Sequence, residues 1–282
     1  MNHSWISPRL ALLALVLRAT ITTAISGEVD EFSKCVVLLR GQEMFSVNGV
    51  QAEVWLKVPN GTNPVYIPKW SNMGTGFFVA DGTNCFLVTA KHVAMNMGGN
   101  PLATMRLEEK EPLVVPLVTL TGSNVITWHH HTNADISLLK VQAPSQATPL
   151  LSRHFFPLEL LESRTAPPSR DVPLTIIGFP LDLGANEEFA PLSVETKAAS
   201  GILPDGNARY FLLQNPGIQG FSGAPLLAFV RPYSQGGAFI MPTVGPPKCW
   251  GLISETLGDA TGGKLAKVVP AYCIAEFIKE CR

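Results

Sequence analysis

Short apolar segments bounded by glycine, proline or asparagine recur along the sequence. They are rich in valine, isoleucine, leucine and phenylalanine and have the length of β-strands: Ala52–Val58, Gly76–Ala80, Cys85–Ala90, Leu113–Leu120, Ile136–Val141, Leu174–Gly178, Tyr210–Gln214, Ala224–Val230 and Cys249–Ser254. Many short strands separated by turn residues are typical of β-sandwiches and β-barrels. The sequence therefore predicts an all-β protein.

The end of the chain shows a different pattern. Pro270 is a residue that favours the first turn of a helix. After it, the apolar residues recur with the 3.6-residue period of one helix face: Ala271, Ile274, Phe277, Ile278 and Cys281. We predict a C-terminal α-helix that packs on the core.

Two long segments carry turn residues instead of a strand pattern. The first runs from Val141 to Val172 and contains several prolines, and it is the best candidate for a boundary between two domains. The second, Arg231–Lys248, contains paired glycines and paired prolines and interrupts the later strands.

The N-terminus has the residue order of a secretory signal. Arg9 precedes the apolar run Leu10–Leu17. Small residues come next, at Thr22, Ala24 and Ser26. That order precedes a cleavage site in exported proteins. Arg18 directly after the apolar run is atypical, which leaves an ordinary N-terminal segment as the alternative. We predict a signal peptide over residues 1–26 and an exported protein, secreted or periplasmic.

Charge and hydropathy patterning argue against two kinds of partner. The 21 lysines and arginines are balanced by 22 aspartates and glutamates, so there is no basic excess to bind the phosphates of a nucleic acid. A membrane-spanning helix needs about 18 consecutive apolar residues, and the sequence has no such run. We expect a partner that is neither nucleic acid nor a membrane core.

The chain has five cysteines, so at least one thiol has no intramolecular partner. None of them have the close spacing of zinc-binding or thiol-exchange motifs. One or two disulfides would suit an exported protein, but the sequence leaves their connectivity open. No metal or other cofactor is predicted.

Three short motifs place a histidine, an aspartate and a serine in contexts that suit catalysis. A strand leads into His92, Asp135 opens another apolar strand, and Ser222 lies in a tight glycine turn. A serine hydroxyl becomes an effective nucleophile when an imidazole accepts its proton, and the imidazole needs a carboxylate to orient it. We predict that His92, Asp135 and Ser222 form a catalytic triad.

In this order the motifs resemble those of the trypsin-like serine proteases of chymotrypsin fold, in their compact bacterial form. Gly74–Val79 resembles the strand before the histidine, Trp250–Ser254 the strand that lines the substrate site, and Val268–Phe277 the terminal helix. The resemblance covers about residue 73 to the end. It implies two six-stranded antiparallel β-barrels with the active site between them. The domains would then be 27–150, a linker 151–172, and 173–282 with the terminal helix.

The resemblance also implies hydrolysis of peptide bonds through an acyl-enzyme, without a cofactor. Ser222 would attack the carbonyl carbon, His92 would transfer the proton, and Asp135 would orient the imidazole. The backbone N–H groups of Gly220 and Ser222 would donate to the oxyanion.

Specificity follows less directly from the residues that resemble the family's substrate pocket. By the register of the family, the pocket floor lies six residues before Ser222, at Pro216, with Ile218 nearby and Ser254 and Glu255 on the lining strand. A proline instead of an acid predicts a small or apolar side chain before the scissile bond. Glu255 would reverse this preference if its carboxylate turned inward.

Phe221 bears on how such an enzyme would become active. In family members that are activated by cleavage, the new terminal amine pairs with an aspartate directly before the nucleophile. Phe221 occupies that position here, and an apolar ring cannot neutralise a buried ammonium. We predict that activity does not depend on a newly formed N-terminus.

Two of these sequence features have other interpretations. The turn around Ser222 is close to the nucleophile elbow of α/β-hydrolases, but that fold requires a histidine after the serine and none follows. The run His129–His131 suggests a metal site, yet adjacent residues of an extended strand point to opposite faces, which favours a solvated loop. Two alternatives stay open: an inactive binding protein of protease fold, and a structural β-protein whose motifs coincide by chance.

Overall fold

The computed structural model of the protein describes residues 29–47, 50–58, 65–106, 112–142, 154–185, 189–229, 233–235, 238–240 and 247–282. The predicted signal peptide, residues 1–26, lies outside these residues. Within the described part of the chain, no helix is long and apolar enough to span a membrane.

The described elements are almost all β-strands. The first twelve strands are β1 Val36–Gln42, β2 Met44–Val47, β3 Val50–Glu53, β4 Trp55–Val58, β5 Val65–Pro68, β6 Trp70–Asp81, β7 Asn84–Thr89, β8 Leu102–Met105, β9 Leu113–Pro116, β10 Trp128–His130, β11 Ser137–Val141 and β12 Phe156–Pro157. The later strands are β13 Leu174–Gly178, β14 Leu192–Thr196, β15 Leu203–Asp205, β16 Ala208–Leu213, β17 Pro225–Ala228, β18 Tyr233–Gln235, β19 Ala238–Ile240, β20 Lys248–Gly258 and β21 Lys264–Pro270. Residues 29–33 are helical, and the later helices are α1 Lys91–Met95, α2 Leu117–Leu120 and α3 Ala271–Glu280, with 3₁₀ turns at Leu158–Leu160 and Pro180–Asp182.

The strands form two large sheets, one from each half of the chain. The first has eight strands in the order β10-β11-β7-β6-β1-β8-β9, with β12 parallel to β6. The second has seven strands in the order β14-β13-β17-β20-β21-β16-β15. The all-β, chymotrypsin-like prediction is confirmed, while the strand numbers differ from the predicted six and six. Three separate hairpins, β2–β3, β4–β5 and β18–β19, add strands outside the two sheets.

Two of the predicted strands differ from those observed. The predicted strand Ala52–Val58 is broken at Val54, whose backbone instead joins the hairpins β2–β3 and β4–β5 through bonds to Glu43 and Lys69. The predicted strand Leu113–Leu120 ends at Pro116, and α2 follows it. Proline has no N–H for a further ladder bond, and its fixed φ suits the residue before a helix.

The chain crosses from the first sheet to the second through residues 154–172. Phe156 pairs with Val79 on β6, and Leu161 forms a bridge with Cys249 on β20. The described part of the predicted linker therefore packs against both sheets. The domain boundaries themselves stay a prediction.

The terminal helix α3 begins after Pro270, as predicted, and buries its apolar face on the large hydrophobic core that the two sheets share. The second sheet has a further core of its own, which contains the fully buried ring of Phe221. The two sheets thus share a packed boundary, and the predicted catalytic residues lie along it.

Candidate active site

Strand pairing brings His92 and Asp135 together. In the antiparallel pair β7–β11, Thr89 lies opposite Ser137. Residues that follow Thr89 therefore face residues that precede Ser137, which places His92 on α1 beside Asp135. The Nδ1 atom of His92 is 2.8 Å from Oδ2 of Asp135, and the backbone N–H of His92 donates to Oδ1 at 3.0 Å. The carboxylate thus fixes the histidine at two atoms.

Asp135 is held in its ionised form. Burial raises the pKa of its carboxyl, but hydrogen bonds from His92 and Ser254 and the charge of His92 outweigh burial and hold the pKa at about 2. An ionised carboxylate only accepts hydrogen bonds, so the Nδ1 atom of His92 must be the donor. The other ring nitrogen, Nε2, is then free to accept a proton when the histidine is neutral.

Ser254 links the second sheet to this carboxylate. It lies on β20, is only 2% exposed, and its hydroxyl donates to Oδ2 of Asp135 at 2.5 Å. The sequence assigned Ser254 to substrate binding because of the strand it occupies. Its contact with Asp135 is a further role that depends on the packing of one sheet against the other.

Ser222 lies in a tight turn before β17 that is anchored to the first sheet. The carbonyl of Ser222 accepts from the N–H of Thr75 on β6 at 2.8 Å, and the N–H of Gly223 donates to Ile253 at 2.7 Å. Gly223 has a φ of +86°, and a Cβ there would collide with the backbone of Thr75. The turn therefore needs a glycine directly after the serine. The hydroxyl of Ser222 donates to the carbonyl of Ser254 at 3.0 Å.

The predicted oxyanion donors are the N–H groups of Gly220 and Ser222. The carbonyl of Gln219 accepts from the N–H of Leu181 at 2.8 Å, and the carbonyl of Phe221 accepts from Ala224 at 2.8 Å. In a trans peptide the N–H points opposite to the preceding carbonyl. The N–H group of Gly220 therefore points away from Leu181, and that of Ser222 points away from Ala224. Neither N–H donates to another group in the described part of the chain.

Thr75 fixes the other side of the same loop. Its hydroxyl is fully buried, donates to the carbonyl of Gly220 at 2.7 Å and accepts from the N–H of Phe179 at 3.1 Å. By its sequence context, this threonine belongs to the predicted strand before His92. Its role in holding the Gly220 peptide was missed because its partners are more than 100 residues away.

His92 and Ser222 line one cleft of about 370 Å³. Its other lining residues come from the segment before Ser222 and from β20 and β21: Gly217, Ile218, Gln219, Ile253, Ser254, Glu255, Thr256 and Lys264. Asp135 lies behind this cleft, in a smaller pocket that Ser254 also lines. A second open cleft, between residues 94–101 and 116–128, is lined by none of the predicted site residues.

The three predicted substrate-binding residues differ in position. Ser254 and Glu255 line the cleft, whereas Pro216 is exposed and lies outside the described lining. The hydroxyl of Thr256 donates to the carbonyl of Gly217 at 2.8 Å and so joins the two walls of the cleft. Pro216 directly precedes this junction, and its assignment to the pocket floor stays a prediction.

The carboxylate of Glu255 has a cationic partner within the protein. The ammonium of Lys267 is 2.8 Å from Glu255 and 2.6 Å from Asp205. Burial lowers the pKa of Lys267, but the two carboxylates raise it more, so the lysine stays charged. Glu255 is therefore paired with a cation of the protein, but it shares Lys267 with Asp205, so these three side chains keep one net negative charge.

The histidine run has protein partners in the structure. The Nδ1 atom of His130 is 2.6 Å from the hydroxyl of Ser137, and that of His131 accepts from the N–H of Asn133 and of Ala134. Among the described residues, no group of three or more histidines, cysteines or acidic residues is placed to hold a metal ion.

The five cysteines, all in the described part of the chain, carry free thiols. Burial raises the pKa of Cys35 and of Cys249 to about 12. A thiol with so high a pKa is not a nucleophile at neutral pH.

Comparison with known proteins identifies the family. A family model for the trypsin-like peptidase domain matches residues 74–229. The match covers more than half of the chain and includes His92, Asp135 and Ser222. The chain belongs to the trypsin-like peptidase domain family. The predicted resemblance to trypsin-like serine proteases is thereby confirmed.

Solved structures support the fold of this peptidase domain. The HtrA-type protease AlgW with a decapeptide is similar with a TM-score of 0.55 and 12% identity, over 91% of this chain and 67% of that chain. A variant of AlgW with a decapeptide has a TM-score of 0.54 and 11% identity, over 90% of this chain and 65% of that chain. This chain thus spans about two thirds of the length of these neighbours. No curated protein matches the chain.

Proposed function

We propose that the protein is a serine endopeptidase that hydrolyses peptide bonds through an acyl-enzyme. One observation carries the proposal: Asp135 holds the Nδ1 atom of His92 at 2.8 Å, and His92 lines the same cleft as Ser222. Membership of the trypsin-like peptidase domain family supports it. We also propose that the enzyme is exported, on the basis of the N-terminal sequence.

The first chemical step is attack by Ser222. Its hydroxyl must rotate away from the carbonyl of Ser254 and donate to the Nε2 atom of His92. As the oxygen bonds to the peptide carbonyl carbon, the proton passes to Nε2 and the imidazole becomes positive. Asp135 stabilises that charge and keeps the ring in place, because its carboxylate accepts hydrogen bonds from both the ring and the backbone N–H of His92.

Charge also develops on the substrate oxygen. The N–H groups of Gly220 and Ser222 have no acceptor in the described part of the protein, so both can donate to this oxyanion. Removing such a donor slows comparable enzymes by about 10²- to 10³-fold. His92 then gives its proton to the leaving amine, and a water molecule activated by His92 hydrolyses the ester on Ser222.

The substrate is a polypeptide with a small or apolar side chain before the scissile bond. The Thr256–Gly217 hydrogen bond joins the two cleft walls, and the Glu255 carboxylate is paired with Lys267. The decapeptides in the structural neighbours belong to those proteins, and a polypeptide substrate for this chain is consistent with them.

The deciding experiment is covalent labelling with a fluorophosphonate probe, followed by a peptide-library cleavage profile. We expect one labelled site, at Ser222, and cleavage that disappears in Ser222→Ala. A matched Ser193→Ala variant, at an exposed residue of β14, should label and cleave normally. A folded wild-type protein that neither labels nor cleaves would refute the proposal.

One observation favours a second candidate, an inactive binding protein of the same fold. A hydroxyl has a single proton, and Ser222 gives it to the carbonyl of Ser254 at 3.0 Å instead of to His92. If that bond persisted, Ser222 would not be activated. This candidate predicts no labelling but measurable binding of extended peptides, equal in the wild type and in Ser222→Ala.

A further inference from the structure

The loop that carries Asp135 is closed by His131. The backbone N–H of His131 donates to the carbonyl of Ile136 at 3.0 Å, and the N–H of Ile136 donates to Ala134 at 2.9 Å. Asp135 is therefore presented from a short closed loop whose first residue is a histidine.

The side chain of His131 makes further bonds inside this loop. Its Nδ1 atom accepts from the N–H of Asn133 at 3.1 Å and from the N–H of Ala134 at 2.8 Å. A ring nitrogen that accepts hydrogen bonds carries a lone pair, so the proton of the neutral ring lies on Nε2. The loop geometry thus requires one tautomer of a neutral imidazole.

The ring is also fixed from outside the loop. It stands edge-on against Phe277 of α3, with 5.1 Å between the ring centres. The carbonyl of His131 accepts from the ammonium of Lys91 at 3.1 Å, and Lys91 directly precedes His92. His131 therefore contacts the terminal helix and the helix that carries the predicted catalytic histidine.

We propose that His131 is a positioning residue: its neutral imidazole holds the loop that presents Asp135 to His92, and protonation at Nδ1 releases that loop. A protonated Nδ1 would point its N–H at two other N–H groups, so both hydrogen bonds would be lost together. This inference rests on the proposed peptidase function for its effect on activity. Its effect on the loop is independent of catalysis.

The charges around the His131 ring determine the pH at which it takes up a proton. Lys91 of α1 and Glu276 and Glu280 of α3 act on its charge, and His130 and Asp135 are titratable neighbours along the chain. Burial lowers the pKa of His131, Glu280 and Glu276 oppose the shift, Lys91 reinforces it, and the net shift is downward. His131 is therefore neutral at neutral pH and takes up a proton only below the usual pKa of a histidine.

Two substitutions distinguish the role of the Nδ1 acceptor from that of the ring contact with Phe277. In His131→Asn, the side-chain oxygen occupies the position of Nδ1, and asparagine commonly accepts from N–H groups two and three residues later. In His131→Phe, the ring against Phe277 remains but the acceptor is lost. We expect His131→Asn to retain kcat/KM at pH 8 within about threefold and His131→Phe to lose about 10²-fold, mostly in kcat, as expected for a misplaced catalytic group.

Hydrogen exchange tests the loop without using activity. Asn133 is exposed, so protection of its amide reports the bond to His131. The amide should be protected at pH 8 in the wild type and in His131→Asn, but not in His131→Phe. Below the titration of the His131 ring, followed by its NMR signals, protection should be lost in the wild type and kept in His131→Asn.

These readouts also separate this inference from the proposed function. A wild type without peptidase activity that still shows the exchange pattern would refute the proposed function and leave the role of His131 in the loop supported. Equal exchange in all three proteins, or equal kcat/KM in the two variants of an active enzyme, would overturn the assignment of His131.

Discussion

Replacing Asp135 by asparagine exchanges one oxygen of the predicted triad for an NH₂ group and tests the geometry of the whole triad. In the structure, Oδ1 accepts from the backbone N–H of His92, and Oδ2 accepts from the ring of His92 and from Ser254. An asparagine offers one oxygen and one NH₂ group, so it cannot accept at both positions.

The structure indicates which orientation the amide takes. If its NH₂ group faced the backbone N–H of His92, that donor would be left unsatisfied at a cost of about 1–3 kcal/mol. If the NH₂ group faces the ring instead, His92 can shift its proton to Nε2 and Ser254 can turn its hydroxyl to accept. The second orientation is preferred, and it leaves His92 unable to take the proton of Ser222.

The expected loss follows from these terms. A preference of about 1–3 kcal/mol for the wrong tautomer corresponds to about 5- to 150-fold in rate. Loss of the carboxylate charge beside the imidazolium adds to this, and the total for such a triad is about 10⁴-fold, or about 5.4 kcal/mol.

The assay is kcat/KM at pH 8 on the best peptide from the cleavage profile, with thermal unfolding as a check of the fold. Asp171→Asn, at an exposed turn, is the matched control and should be neutral. If Asp135→Asn retained kcat/KM within tenfold of the wild type, the tautomer argument and the assignment of Asp135 would both be refuted.

Three further predictions concern specificity, folding and activation. Thr256→Gly removes the bond to Gly217 that joins the cleft walls, so the cleavage profile should shift toward larger apolar side chains before the scissile bond; an unchanged profile would contradict this. Gly223→Ala should destabilise by more than about 4 kcal/mol in urea unfolding, because its Cβ meets backbone. Gly206→Ala, with a positive φ but open space around it, should cost about 1–2 kcal/mol, and similar costs at both sites would refute the packing argument. Phe221 is buried and offers no carboxylate to a terminal amine, so a short extension before residue 27 should leave kcat/KM within about twofold. Loss of hydrolysis at an unchanged melting temperature would indicate that the terminal amine pairs with a carboxylate elsewhere in the protein.

Local sequence patterns were sufficient where a single element decides the outcome. The 3.6-residue period after Pro270 predicted α3, because burial of one face is a property of consecutive residues. The glycines around Ser222 predicted a tight turn, and positive φ values at Gly220 and Gly223 are found there. The same patterns failed at Val54 and Pro116, where the pairing of neighbouring hairpins and a missing N–H end the strands.

The sequence by itself determined the all-β class, the terminal helix and the order of the three motifs, because strand length, turn residues and helical period are encoded over a few adjacent positions. Only the tertiary structure decided that Ser254 donates to Asp135, that Thr75 holds the carbonyl of Gly220, and that the cleft walls join at Gly217. The first two contacts connect residues 119 and 145 positions apart, in the two halves of the chain that form different sheets. Their geometry depends on how one sheet packs against the other, which no local pattern specifies.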